Sequence, residues 1–107
     1  MKTKSVKNII GMMVRTLVEK FDPDSIILFG SHARGTANGE SDVDLLVVLP
    51  IKGSKRAKRI EMRLALYEFP VEMDIIVATP EDVEKFRDIP GTIIRPALLE
   101  GKVIYAR

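Results

Sequence analysis

The sequence has no cysteine, no tryptophan, no glutamine and a single histidine, His32. Without thiols there is no disulfide framework, no thiolate catalysis and no cysteine-ligated zinc. With one imidazole, any metal site has to be built from carboxylates, which points to magnesium or manganese before zinc. Long apolar runs are missing too. The longest aliphatic run, Leu45 to Leu49, falls far short of the ~20 residues that a bilayer helix needs. Polar residues interrupt the lysine-bearing N-terminal segment before Ile9, so no secretory signal is expected and the cytoplasm is the default location. Charge of one sign is also lacking: 17 basic against 15 acidic residues leave +2, which by itself argues for neither nucleic acid nor an anionic membrane. The scarcity of amides (two asparagines) fits a heat-adapted source, a signal blurred by five methionines.

What is present is an ordinary globular balance of 46 % hydrophobic and 30 % charged residues over 107 positions. That length is expected to form one domain, residues 1–107, with one core. Val6, Ile9, Ile10, Met13, Val14, Leu17 and Phe21 share one stripe of an amphipathic helix that Asp22-Pro23-Asp24 ends. Ile26 to Phe29 reads as a short buried strand, stopped at Gly30. Residues 30–41 read as a loop with an Asn38-Gly39 turn. Val43 to Leu49 is a second strand, and Lys52 to Phe69 has helical spacing with Ala57, Ile60, Leu64 and Tyr67 on one side. Val71, Met73, Ile75 and Val77 alternate as a third strand does. Thr79-Pro80-Glu81-Asp82 starts a short helix, Ile94 to Glu100 another, and Val103-Ile104-Tyr105 an edge strand. Tyr67 and Tyr105 read as core or sheet-edge residues.

The order predicts an α/β fold, a small mixed β-sheet with helices packed on it. A helical crossover joins strands two and three, so they are parallel, whereas a dozen loop residues make strands one and two antiparallel. Gly30, Asp42, Asp44 and Asp74 then gather at one edge.

Asp42 and Asp44, two apart on a strand, project from the same face. Two carboxylates so placed repel unless a cation lies between them, and a hard divalent ion with oxygen ligands resolves the repulsion. A lone D-x-D also fits a turn residue followed by an exposed partner for a lysine. Five aliphatic residues after Asp44, and Asp74 at matching depth on the neighbouring strand, favour the metal site; Glu72 points to the same face as a supporting carboxylate. Gly30-Ser31 lets backbone approach a phosphate, and Arg34 adds a planar cation suited to it. A Walker loop does not fit, because Thr36 stands where its lysine belongs.

Gly30-Ser31, ten residues, then Asp42-Val43-Asp44 resembles the G-S-x10-D-x-D signature of the DNA polymerase β-like nucleotidyltransferases. The stretch F-G-S-H-A-R-G-T-A followed by S-D-V-D-L is similar to the minimal nucleotidyltransferase (MNT) group, and the resemblance runs along the whole chain. It implies that Gly30 and Ser31 hold the β- and γ-phosphates of a nucleoside triphosphate, ATP foremost. It implies that Asp42 and Asp44 bind two Mg²⁺ ions, with Mn²⁺ as a substitute, and that Asp74 is the third catalytic carboxylate. His32 stands where many relatives have arginine and reads as a loop residue rather than a catalytic base. Larger relatives add a helical domain that grips the acceptor. The MNT group commonly pairs with small helical HEPN proteins as antitoxin and toxin, so the resemblance implies transfer of AMP to a tyrosine of a HEPN partner.

Two other readings remain beside this one. The chain is then either an antitoxin acting by contact alone, or a transferase for a small molecule of the aminoglycoside type. Lys52, Lys55, Arg56, Arg59 and Arg63, with Lys58 beside them, form a basic helix face. It reads as solvated, or as steering triphosphate, RNA or an acidic partner; with no interleaved aromatics, base stacking on it is not expected. Ile93, Ile94, Leu98 and Leu99 fit either core or the interface of a homo-oligomer.

Overall fold

Ser5 opens the first helix, α1 (Val6–Phe21), by accepting a hydrogen bond from the Asn8 amide at 3.2 Å. Ile9, Ile10, Met13 and Leu17 of its apolar stripe are buried, and the helix stops where Asp22 turns left-handed. In the computed structural model, residues 5–38 and 41–107 are described. The expected Asn38-Gly39 turn lies partly outside them, at Gly39.

The strands are β1 (Ser25–Phe29), β2 (Val43–Val48), β3 (Met73–Ala78) and β4 (Lys102–Ala106), in the spatial order β3-β2-β1-β4. β1 is antiparallel to both β2 and β4, while β2 and β3 run parallel. The sheet is therefore mixed, as the connection lengths predict. A four-residue helix, α2 (Ser31–Arg34), follows β1 directly, in a stretch whose composition predicts a loop. Its brevity leaves no helical period to detect.

Two apolar layers flank the sheet. On one face α1 and α3 (Lys55–Ala65) cover Leu28, Val43, Leu45, Val47 and Ile75; on the other α4 (Pro80–Phe86) and α5 (Ile94–Glu100) cover Ile27, Phe29, Leu46, Val48 and Ala78. The Thr79 hydroxyl and the Asp82 carboxylate cap each other's backbone amides at 3.0 Å, closing a capping box at the start of α4. Asp82 also pairs with Lys55 at 2.6 Å, fastening the start of α3 to α4. That hydrogen bond from Lys55, with the one from the Thr79 amide, holds the Asp82 carboxyl below its usual range. In α5, Ile94 is buried and Leu98 packs on the core, whereas Ile93 and Leu99 stay exposed.

α3 differs from expectation in length and in phase. Gly53, with φ of 94°, and extended Ser54 delay its start beyond Lys52, and regular helix ends at Ala65 before Pro70 is reached. Its core-facing residues are Met62 and Leu66, while Ile60, Leu64 and Tyr67 are exposed. Tyr67 is thus neither core nor sheet, although Tyr105 on β4 packs against the α1 side as expected. The segment carries two apolar stripes, and packing on the sheet and on α1 decides between them: Met62 and Leu66 join the core, and Lys58 lies over the Phe21 ring of α1 at 5.7 Å.

That phase sets the cost of truncation on each side. Leu66→Ala should destabilise the protein by about 2–5 kcal/mol, and exposed Leu64→Ala by no more than about 0.5 kcal/mol. Urea unfolding of both variants measures the difference; equal losses would contradict the observed phase.

Candidate active site

β1 ends at Phe29, opposite Asp44 of β2, and Asp44 lies opposite Asp74 of β3 in the parallel register. Even-numbered residues of β2 and β3 face the α4–α5 layer, as Leu46, Val48, Ile76 and Ala78 do, so Asp44 and Asp74 share that face. Asp42 lies just before β2 and is exposed; Glu72, just before β3, is exposed and accepts the Val43 amide on its carbonyl at 2.9 Å.

Gly30 has φ of 73°, a backbone state that side-chain-bearing residues rarely adopt. A β-carbon there would also overlap the Asp44 carboxylate. Glycine is needed twice over, for the turn and for contact with the acid. From this turn α2 rises, with the Ala33 and Arg34 amides both 3.1 Å from the Gly30 carbonyl, and with Ser31 half-buried at its start. The Ser41 carbonyl accepts from His32 Nε2 at 3.2 Å, which ties α2 to the approach to β2. His32 therefore lies in α2 rather than in a loop, and its ring serves as that helix's fastener.

Burial pushes the Asp44 carboxyl above its usual range, the charges of Asp74 and Asp42 push it further, and His32 and Arg34 pull it part of the way back. Exposed Arg34 thus lies within electrostatic reach of the acid that Gly30 touches. Asp74 Oδ1 is 3.5 Å from Arg59 Nη2 of α3. The sequence places Arg59 on a basic face, but its pairing with Asp74 depends on the packing of α3, which no motif records.

The structure thus brings Gly30, Ser31, Arg34, Asp42, Asp44 and Asp74 to one edge. Among the described residues no three acidic or histidine side chains converge tightly enough to form a closed metal cage. The donors are all carboxylate oxygens, one of them half-buried and disfavoured as a bare anion, which fits a hard divalent cation. A glycine turn beside such acids suits a phosphorylated ligand held through its anionic oxygens.

A mixed sheet with this turn and these acids at one edge is the framework of a nucleotide-transferring enzyme. The comparisons agree: residues 10–101 match the family described as nucleotidyltransferase domain, and the chain belongs to that family. A Methanocaldococcus jannaschii protein, provisionally named a protein adenylyltransferase, is 36 % identical over 114 residues, covering 100 % of this chain and 76 % of its own length. A solved toxin–antitoxin structure with AMP-PNP has a TM-score of 0.65 at 20 % identity, over 94 % of this chain and 73 % of that one. The complex of a tri-AMPylated Shewanella oneidensis HEPN toxin with its MNT antitoxin has a TM-score of 0.62 at 16 % identity, over 94 % and 72 % of the two chains. These structures establish a shared fold.

The raised Asp44 acid has a consequence for stability. Its folded-state pKa lies above the unfolded value, so the native state holds the proton more tightly and stability falls as pH rises through that window. Asp44→Asn removes the repelling charge. In metal-free buffer at neutral pH the variant should melt at a higher temperature than the parent. The gap should close as pH drops below the ordinary carboxylate range, and Mg²⁺ or Mn²⁺ should stabilise the parent only. Thermal melts across pH, with and without metal, read this out; a variant no more stable than the parent at pH 7 would contradict the burial of this charge.

Proposed function

We propose that the protein is a Mg²⁺-dependent adenylyltransferase that moves AMP from ATP to a hydroxyl of a protein partner, a tyrosine of a HEPN-type toxin, and so acts as its antitoxin. The observation that carries this reading is the contact of Gly30 with Asp44, itself in register with Asp74. It sets a phosphate-holding turn directly against an acidic pair. In this reading Gly30 and Ser31 hold the β- and γ-phosphates through amides and hydroxyl, and Arg34 offsets their charge. Asp42 and Asp44 would hold two Mg²⁺ ions, with Asp74 as a third carboxylate donor. Metal bound there supplies Lewis-acid neutralisation of the charge that develops on the phosphate oxygens. Asp74 also accepts the acceptor's proton. The hydroxyl oxygen bonds to the α-phosphorus, the bond to the bridging oxygen of the β-phosphate breaks, and pyrophosphate leaves.

Support for the partner comes from likeness: the Shewanella complex joins an MNT antitoxin of this fold to a HEPN toxin that carries AMP. No helix among the described residues is long and apolar enough to cross a membrane. A second reading, neutralisation by contact alone, draws on the ion pair between Arg59 and Asp74, which engages one of the three acids.

Label transfer decides between them. ATP labelled at the α-phosphate, Mg²⁺ and host lysate should give a labelled protein band with the parent and none with the Asp42/Asp44 double-alanine variant. Asp44→Ala alone should lower transfer by about 10²-fold or more while the fold persists. Full transfer by Asp44→Ala would remove the metal assignment. A bound partner that stays unlabelled would favour the contact-only antitoxin.

A further inference from the structure

Helix α3 has a second apolar face that the fold leaves uncovered. Ile60, Leu64 and Tyr67 are 48 %, 66 % and 83 % exposed, spaced so that they align along the side away from Met62 and Leu66. On that side α3 and the start of edge strand β3 enclose a groove of about 430 Å³, with Arg63, Glu72 and Met73 also in its wall. Glu72 and Met73 directly precede Asp74, and Arg59 of the same helix is 3.5 Å from it, so the groove lies beside the acidic edge. Charge marks it as well. Lys55, Lys58 and Arg59 are engaged by Asp82, Glu61 and Asp74, while Arg63 in the groove wall, facing Glu72 as its one acidic lining residue, and Arg56, two turns earlier on the same helix face, join no ion pair among the described residues.

We propose that this groove docks the acceptor protein through an acidic, apolar-faced segment, and that docking there delivers the acceptor hydroxyl to Asp74; the inference rests on the transferase reading above. The apolar row supplies buried area, and the two arginines select acidic flanks. The edge of β3 offers backbone groups to an extended stretch. A second copy of this chain would bring a face with the same free arginines rather than the acidic flanks that complement them. RNA would be drawn by the arginines and would leave the aliphatic row unused.

The test uses the protein that takes the label in host lysate, purified, as acceptor for the full-length chain. Leu64→Glu and Arg63→Glu should each raise KM for that protein about tenfold or more, with kcat within about twofold. Arg63→Lys should behave as the parent, and Mn²⁺-ATP binding should be unchanged in all three. An unchanged KM in Leu64→Glu overturns the docking site and leaves the transferase reading standing. A parent dimer that Leu64→Glu dissociates would assign the groove to a second copy. Inhibition of parent transfer by poly(U), relieved in Arg63→Glu with Leu64→Glu as sensitive as the parent, would assign it to RNA; both results overturn the proposal. If the parent labels no protein, the transferase reading fails and the docking site falls with it.

Discussion

The acidic edge depends on a register. Parallel pairing of β2 with β3 sets Asp44 beside Asp74, and antiparallel pairing of β1 with β2 sets the end of β1 beside the same acid. A shift of one residue in either pair would send a carboxylate to the opposite face, into the layer under α1 and α3. The buried aliphatic residues of β2 make such a shift costly. Val43, Leu45 and Val47 fill one apolar layer while Leu46 and Val48 fill the other. The strand that places the acid is thereby the one the core holds most firmly.

Repulsion among the acids is tolerated because it is local and meets counter-charges. Burial and the charges of Asp74 and Asp42 raise the Asp44 carboxyl, which lies directly against Gly30. Arg34 and His32 soften its environment from α2, and Arg59 takes up Asp74 from α3. A bound cation would replace these partial remedies with a full one, which couples ligand binding to stability at this edge.

Much of this was legible in the residues themselves. The spacing from Gly30-Ser31 to Asp42 and Asp44 conveys the turn and the acids, and the alternation around Asp74 conveys its strand. Connection lengths conveyed which strands run parallel. What stayed hidden was tertiary. Ala57, Ile60, Leu64 and Tyr67 repeat as well as the buried pair Met62 and Leu66 do, so periodicity alone selects the wrong side of α3. α2 is too short for any period. Arg59 finds Asp74 only through the way a helix lies on a sheet.

β4 gives this fold a kinetic character. The strand that presents Gly30 is bordered on one side by β2, close in sequence, and on the other by residues 102–106. Ile26 meets Tyr105, and the Asp24 carbonyl accepts the amide of Arg107, whose guanidinium reaches back to Asp22 and Asp24. These are contacts between regions far apart along the chain, so a large loop has to close before they form, which slows folding relative to a locally wired domain. Until that closure, β1 has one open flank, and a nascent or partly folded chain offers it to any passing strand. The far strand in sequence is thus also the guard of the first.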